Sequence, residues 1–142
     1  MSAHKDNFHY SLPYTVPIRD INYGGHVGND VFLSYFHEAR IGYLKNLGYS
    51  ELNIEGLGII LAKIELDLKA EIFHGDSLHL FCRVAEIKNT SFIMEYLVEK
   101  SPDITASIGK TVLVMFDYAK REIRKVPQSF RDKVAAFEHW AL

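Results

Sequence analysis

The stretch RDINYGGHVGNDVFLSYFHEAR, at residues 19–40, decides the fold and carries the candidate site. Its first twelve positions contain two aspartates, two asparagines, one histidine and three glycines. Glycines let backbone N–H groups approach a ligand closely, and N–H groups in the first turn of a helix have no partner within that helix. Such donors can hold an oxygen atom that gains negative charge. We therefore predict a reaction site here, built from Asp20, Asn22, Gly24, Gly25, His26, Val27, Gly28, Asn29 and Asp30.

An amphipathic helix follows this polar segment. Its apolar residues recur at spacings of three and four and form one stripe, which comprises Phe32, Phe36, Ala39, Tyr43 and Leu47. We expect Asn29 or Asp30 to cap the N-terminus of the helix, because either side chain can accept a hydrogen bond from an N–H group of the first turn. Gly48 is placed to end the helix in a left-handed conformation.

The segments on either side of this helix have the pattern of β-strands. Upstream, residues 8–21 are rich in β-formers, and Pro13 and Pro17 restrict that segment to an edge strand or an irregular strand. From Ile59 the apolar period changes to two, and four strands joined by short turns follow, the last ending near residue 118. The first of these four strands has an apolar face that we expect to be buried, with Ile64, Leu66, Leu68 and Ala70 on it.

This order of elements predicts an α+β fold in which an antiparallel sheet wraps one long helix. A short helix after Pro127 completes the chain. We expect one domain over residues 1–142, with its core at about residues 8–126 and the C-terminal helix at about residues 127–139. The other face of the sheet and its edges would stay open, so we expect a second copy to close them in a homodimer or homotetramer.

The composition argues against several classes of protein. A formal net charge of −2 disfavours a general nucleic-acid binder, which needs a basic surface. No segment approaches the roughly 20 apolar residues of a membrane span, and the first residues lack the apolar stretch of a signal peptide. Cys82 is the only cysteine, and the seven histidines show no zinc-ligand spacing. We therefore expect a cytoplasmic protein that binds no metal.

Short motifs follow one another in a defined order between residues 20 and 40. An acidic-type pair with one residue between comes first, then a glycine, a histidine-valine pair, an asparagine, and an aromatic-rich helix that ends in alanine-arginine. These positions read Asp20-Ile21-Asn22, Gly25, His26-Val27, Gly28-Asn29, Phe32, Tyr35-Phe36 and Ala39-Arg40. In this order they resemble the hotdog-fold acyl-CoA thioesterases, specifically the 4-hydroxybenzoyl-CoA thioesterase-like branch. The order of strands after the helix also fits, so the resemblance covers roughly residues 15–126. The resemblance implies a hotdog fold and hydrolysis of an acyl-CoA thioester to free acid and coenzyme A.

Two positions depart from the pattern of that branch. Asn22 stands where the branch usually has its catalytic aspartate, and Gly28 stands in place of the first of two asparagines. An amide has no basic lone pair and cannot act as a general base. Another carboxylate must therefore activate the water, and the candidates near the motif are Asp20, Asp30 and Glu38.

Each candidate also has a structural alternative. Asp30 in the first turn would stabilise the helix dipole, and Asp20 would brace the loop. Glu38 lies near the edge of the apolar stripe and would face solvent, unless it faces the groove of a partner subunit. Asn22 would position the water or donate to the thioester oxygen, with an ordinary turn asparagine as the alternative. His26 is expected to be a hydrogen-bonding or leaving-group partner.

The resemblance further implies a mechanism without a metal or redox cofactor, with coenzyme A entering as part of the substrate. Backbone groups from Gly24 to Asn29 would bind the substrate and polarise its carbonyl, chiefly those of Gly25 to Val27. Two alternatives stay open. A hydratase or dehydratase of the same fold would carry prolines after the histidine, which HVGND lacks. A module that binds acyl-CoA without cleaving it is consistent with Asn22 in place of the acid.

Overall fold

The computed structural model describes residues 4–141. In chain order its elements are β1 (Tyr10–Thr15), α1 (Asn29–Asn46), β2 (Gly58–Leu68), β3 (Ser77–Ile87), β4 (Ser91–Lys100), β5 (Ile104–Asp117), β6 (Glu122–Ile123) and α2 (Gln128–Phe137). The predicted α+β arrangement of an antiparallel sheet, one long helix and a short C-terminal helix is confirmed.

The strands form one antiparallel sheet in the order β1-β3-β4-β5-β2, with β6 paired to β5. β1 lies at one edge, as the two prolines of its region predict, and β2 lies at the other. Helix α1 packs on β1, β3 and β4. The helix therefore covers the part of the sheet formed by β1, β3 and β4 and leaves the edge at β2 open.

The apolar stripe of α1 forms the centre of the core. Phe32, Phe36, Ala39 and Tyr43 are buried, and the Phe36 ring stacks on Tyr96 of β4 at a centroid distance of 4.6 Å. The end of the helix is also as predicted, because Gly48 adopts a φ of 89°, which residues with a side chain rarely adopt.

The apolar face predicted for β2 is not buried in this chain. Ile64 and Leu68 are 41% and 47% exposed, and Leu66 is half-buried. The prediction fails because alternation identifies an apolar face without identifying the element that covers it. Helix α1 packs chiefly on β1, β3 and β4, so an open apolar groove runs between α1 and β2.

The C-terminal end of α2 is anchored by a buried carboxylate. Glu138 follows α2 and is 8% exposed. It accepts hydrogen bonds from the Tyr43 hydroxyl at 2.5 Å and from the Val84 N–H at 3.2 Å. Val84 adjoins an irregularity in the β3–β4 register, so this carboxylate joins α2 to both the long helix and the sheet.

This carboxylate makes stability depend on pH. Burial raises the pKa of Glu138, although the hydrogen bonds from Tyr43 and Val84 oppose the shift. A raised pKa in the folded state gives stability that is present below the pKa of the unfolded chain and lost as the pH rises through the folded value. We expect the free energy of unfolding of Glu138→Gln, relative to the native chain, to increase as the pH rises from about 4 toward neutrality.

Urea unfolding at a series of pH values checks this prediction. Glu86→Gln, which changes an exposed glutamate on β3, is the control and should follow the native chain across the series. If the difference in free energy of unfolding between Glu138→Gln and the native chain stayed constant with pH, the raised pKa of Glu138 would be contradicted.

Candidate active site

Residues 21–27 form a closed loop between β1 and α1. Ile21 and Val27 pair as an isolated bridge, and the Asn22 N–H donates to the His26 carbonyl at 2.9 Å. Within the loop, the Asn22 side-chain oxygen accepts from the Gly24 N–H at 2.8 Å, and Gly25 has a φ of 83°. The Asn22 oxygen therefore shapes the turn, which is the structural alternative for this residue.

The loop is also joined to the chain that follows β2. The Val27 N–H donates to the carbonyl of Ile72 at 2.8 Å. This bond holds the strand extension at residues 69–72 against the loop, although more than forty residues separate the two in sequence. Side chains from this extension therefore enter the neighbourhood of His26.

The N-cap of helix α1 precedes both predicted caps in the sequence. Gly28 is the N-cap and makes no side-chain capping bond, while Asn29 and Asp30 lie in the first turn. The expected capping by Asn29 or Asp30 is thus wrong, because both residues already have helical positions. As a consequence, the N–H groups of Asn29 and Asp30 have no partner within the helix.

Gly28 leaves space that two polar side chains occupy. A Cβ atom at this position would lie 2.8 Å from the Asp30 Oδ1 atom and 3.5 Å from the Asn22 Nδ2 atom. A contact below 3.0 Å requires one of the atoms to move, so a larger residue here would displace the Asp30 carboxylate. The departures at Asn22 and Gly28 are therefore coupled in space, and Asp30 lies with them at the start of the helix.

A cavity of roughly 330 Å³ lies beside the loop and the helix start. Three of the predicted site residues line it, namely His26, Val27 and Asn29. Phe32 and Leu68 supply apolar walls, and the remaining lining residues are Lys69, Ala70 and Glu71. The cavity thus brings together the first residue of α1, an imidazole and a carboxylate.

Glu71 was missed by the sequence prediction. Its Oε2 atom lies 4.0 Å from the His26 Nε2 atom, across the cavity. In the sequence, Glu71 is only the last polar residue of an alternating strand, 45 positions after His26. The pairing depends on the backbone bond between Val27 and Ile72, for which the sequence contains no local signal.

Two of the three predicted carboxylates, Asp20 and Glu38, are held away from this cavity. Asp20 accepts hydrogen bonds from the hydroxyls of Tyr14 at 3.2 Å and Tyr35 at 2.9 Å, so it braces the loop against β1 and α1. Burial and the Asp20 carboxylate raise the pKa of Tyr35, which keeps its hydroxyl protonated as the donor. Glu38 is exposed and faces the β1 side of α1. Burial is the main cause of the raised pKa of Tyr14 on β1, and the negative charge of Glu38 adds to that shift.

The groove between α1 and β2 contains a second cavity, of roughly 270 Å³. Its walls are mostly apolar, and they include Leu33, Phe36, Leu61 and Ile64. The buried guanidinium of Arg40 also lines it. The two cavities lie along the same side of α1, between the helix and β2.

A polar network holds Arg40 in place below this groove. Its Nε donates to the Glu51 carboxylate at 2.7 Å, and one terminal nitrogen donates to the Tyr96 hydroxyl at 3.1 Å. Tyr96 in turn contacts the Thr111 hydroxyl at 2.7 Å, and His37 contacts Glu51 at 2.6 Å. The network fixes the floor of the groove relative to the helix.

Two properties of residues 4–141 bear on the class of site. No group of three or more histidine, cysteine, aspartate or glutamate side chains in that range could hold a metal ion. Neither of its α-helices combines the length and the apolar character needed to cross a bilayer.

Comparison with known proteins agrees with this fold. The model of the thioesterase-like superfamily matches residues 16–134. A thioesterase from Thermus thermophilus, solved in complex with coenzyme A and Zn, is 28% identical, with a TM-score of 0.83 over 96% of this chain and 99% of that one. A 1,4-dihydroxy-2-naphthoyl-CoA thioesterase from Synechocystis has a TM-score of 0.80 at 20% identity, covering 89% and 95% of the two chains.

A curated relative from Bacillus subtilis (strain 168), the uncharacterized protein YsmA, is 22% identical over 110 residues, which is 78% of this chain and 74% of YsmA. Fold and loop together define a hotdog domain with a polar site at the start of its long helix. The chain belongs to the thioesterase-like superfamily, because the family model covers most of its length. The resemblance read from residues 19–40 is confirmed, and with it the class of thioester hydrolase.

Proposed function

We propose that this protein hydrolyses an acyl-CoA thioester to a free acid and coenzyme A. One observation carries the proposal: a single cavity is lined by Asn29 at the start of α1, by His26 and by Glu71. Membership of the thioesterase-like superfamily and the similarity to a thioesterase solved with coenzyme A support it.

In this proposal the thioester carbonyl lies at the start of the helix. Its oxygen accepts from the N–H group of Asn29 in the first turn, which stabilises the negative charge of the tetrahedral intermediate. The N–H groups of Gly25 and Val27, which the sequence favoured as donors, are already bonded to the carbonyls of Asn22 and Ile72. A thiolate leaves readily, so one base for the water and this oxyanion site suffice. Asp20 is engaged by two tyrosines and Glu38 faces the β1 side, which leaves Asp30 and Glu71 near the reacting groups.

Coenzyme A is the substrate's carrier in this proposal, and no other cofactor is needed. Lys69 lines the same cavity as His26 and is exposed. An ammonium on a flexible stem is a common partner of phosphate groups. Lys69 is therefore the proposed contact for the phosphates of coenzyme A at the mouth of the cavity.

A second copy of the chain completes the site in this proposal. β2 is an edge strand, and the groove beside it exposes apolar side chains from both walls. An exposed, apolar edge strand favours pairing with another strand, and a symmetric homodimer is the commonest outcome. The cytoplasmic location expected from the lone cysteine stays a prediction.

Thiol release tests the function. Acyl-CoAs from acetyl to palmitoyl, together with benzoyl and phenylacetyl forms, are incubated with the protein and a chromogenic thiol reagent. We expect turnover with an optimum among these acyl groups. If no thiol is released while the ligands still raise the melting temperature, the module that binds acyl-CoA without cleaving it is the better description. Asn22, whose side-chain oxygen serves the turn, is the observation that favours this second candidate.

A further inference from the structure

The side chains of His26 and Glu71 face each other across the cavity beside the helix start. The His26 Nε2 and Glu71 Oε2 atoms are 4.0 Å apart, beyond direct hydrogen-bonding distance. The side chains are 34% and 66% exposed, and an ion pair of this length and exposure contributes little to stability. The arrangement is therefore poorly explained as a structural contact.

The proton positions on His26 follow from its other hydrogen bond. The His26 Nδ1 atom lies 3.0 Å from the carbonyl oxygen of Val27. A carbonyl only accepts, so Nδ1 carries the hydrogen, and in the neutral ring Nε2 presents a lone pair to the cavity. Both groups that face the gap, the Nε2 atom and the Glu71 carboxylate, are therefore acceptors.

A gap of 4.0 Å between two acceptors fits one water molecule at the apex of a triangle. A water in that position donates one hydrogen to Nε2 and the other to Glu71, so its lone pairs point away from both groups. Asn29, the first residue of α1, lines the same cavity, and its N–H group has no partner within the helix. The lone pairs of the water are then available to a carbonyl carbon bound there.

We propose that Glu71 is the general base of the reaction and that His26 holds the attacking water with it. This rests on the thioesterase activity proposed above. The water oxygen attacks the carbonyl carbon as Glu71 accepts its proton, and the negative charge passes to the carbonyl oxygen. The C–S bond then breaks, and the proton on Glu71 passes to the departing sulfur. Free acid and coenzyme A thiol are released, and Glu71 is again a carboxylate.

Asp30 is the competing carboxylate, and its surroundings differ. Its Oδ1 atom occupies the space beside Gly28, next to Asn22, and Asp30 does not line the cavity with His26. An aspartate in the first turn of a helix is stabilised by the helix dipole, which accounts for Asp30 without a role in proton transfer. The geometry therefore favours the carboxylate of the strand extension over that of the helix.

The test compares Glu71→Gln with Asp67→Asn, which changes an exposed carboxylate on the same stretch of chain. We expect Glu71→Gln to lower kcat for thiol release by about 100-fold or more, with KM and melting temperature little changed. Asp67→Asn should match the native enzyme. Hydroxylamine, a nucleophile that needs no base, should still release thiol with Glu71→Gln at the rate seen with the native enzyme.

Other results would overturn the assignment. Full hydrolysis by Glu71→Gln, or loss of activity in Asp30→Asn instead, would place the base elsewhere while the thioesterase function stands. Equal loss of hydrolysis and of the hydroxylamine reaction in Glu71→Gln would make Glu71 a substrate-binding residue. Absence of thiol release from the native protein would overturn the proposed function itself, and the inference with it.

Discussion

Replacing Arg40 by methionine is expected to lower the free energy of unfolding by about 3 kcal/mol, near the lower end of the cost of breaking a buried ion pair. The Arg40 side chain is 7% exposed, and it donates to Glu51 and to the Tyr96 hydroxyl. Methionine preserves much of the volume but leaves both acceptors without this donor. The lower end applies because Glu51 is 25% exposed and keeps its contact with His37.

Urea unfolding of Arg40→Met and of a matched surface variant measures this effect. Arg124 also contacts two carboxylates, Asp117 and Glu122, but its side chain is 37% exposed. Exposed ion pairs contribute about 0–1 kcal/mol, so Arg124→Met should be close to the native chain. If the two variants were destabilised equally, Arg40 would not anchor the groove floor as argued.

The predictable parts of the fold are those fixed by neighbours in sequence. The stripe from Phe32 to Tyr43 and the stop at Gly48 depend on spacings within one helix and on one left-handed residue. Pro13 likewise excludes β1 from the sheet interior through its own missing N–H group. In each case the physical cause acts over a few residues, and the sequence displays it directly.

The buried face of β2 could not be predicted in the same way. Ile64 and Leu68 alternate with charged residues as a half-buried strand should, yet both are exposed in this chain. Their burial depends on the distance between β2 and α1, which follows from the order of strands in the sheet. Periodicity reports which side chains share a face and contains no information on what lies opposite.

The candidate site likewise combines residues that the local motif predicts with a residue that only the tertiary structure reveals. The motif at residues 19–40 predicted His26, Val27 and Asn29, which lie together at the cavity. The same motif made Glu38 a candidate base. The sequence pattern does not show whether a carboxylate on this helix faces β1 or β2, and in the structure Glu38 faces β1. Glu71 comes from a distant strand extension held by one backbone bond, and only tertiary structure brings it to the loop.

The exposed face of β2 leads to the last prediction, that Ile64→Lys converts a dimer into monomers. Ile64 lines the apolar groove at the sheet edge, where the proposed second copy would cover it. Burying an unpaired ammonium costs several kcal/mol. A twofold interface contains two such groups, so at about 3 kcal/mol each the association constant falls by about 10⁴-fold.

Sedimentation velocity across a range of protein concentrations measures the change, and thiol release on the same samples tests whether the second copy completes the site. Ile123→Lys is the control, because Ile123 is 59% exposed on β6, which pairs with β5 on the side away from β2. We expect this control to remain a dimer with native activity. A native chain that sediments as a monomer, or an Ile64→Lys variant that stays dimeric, would show that the groove beside β2 is not the contact between copies. If activity is lost together with dissociation, the open edge of the sheet contributes to the site, and the site is complete only in the dimer.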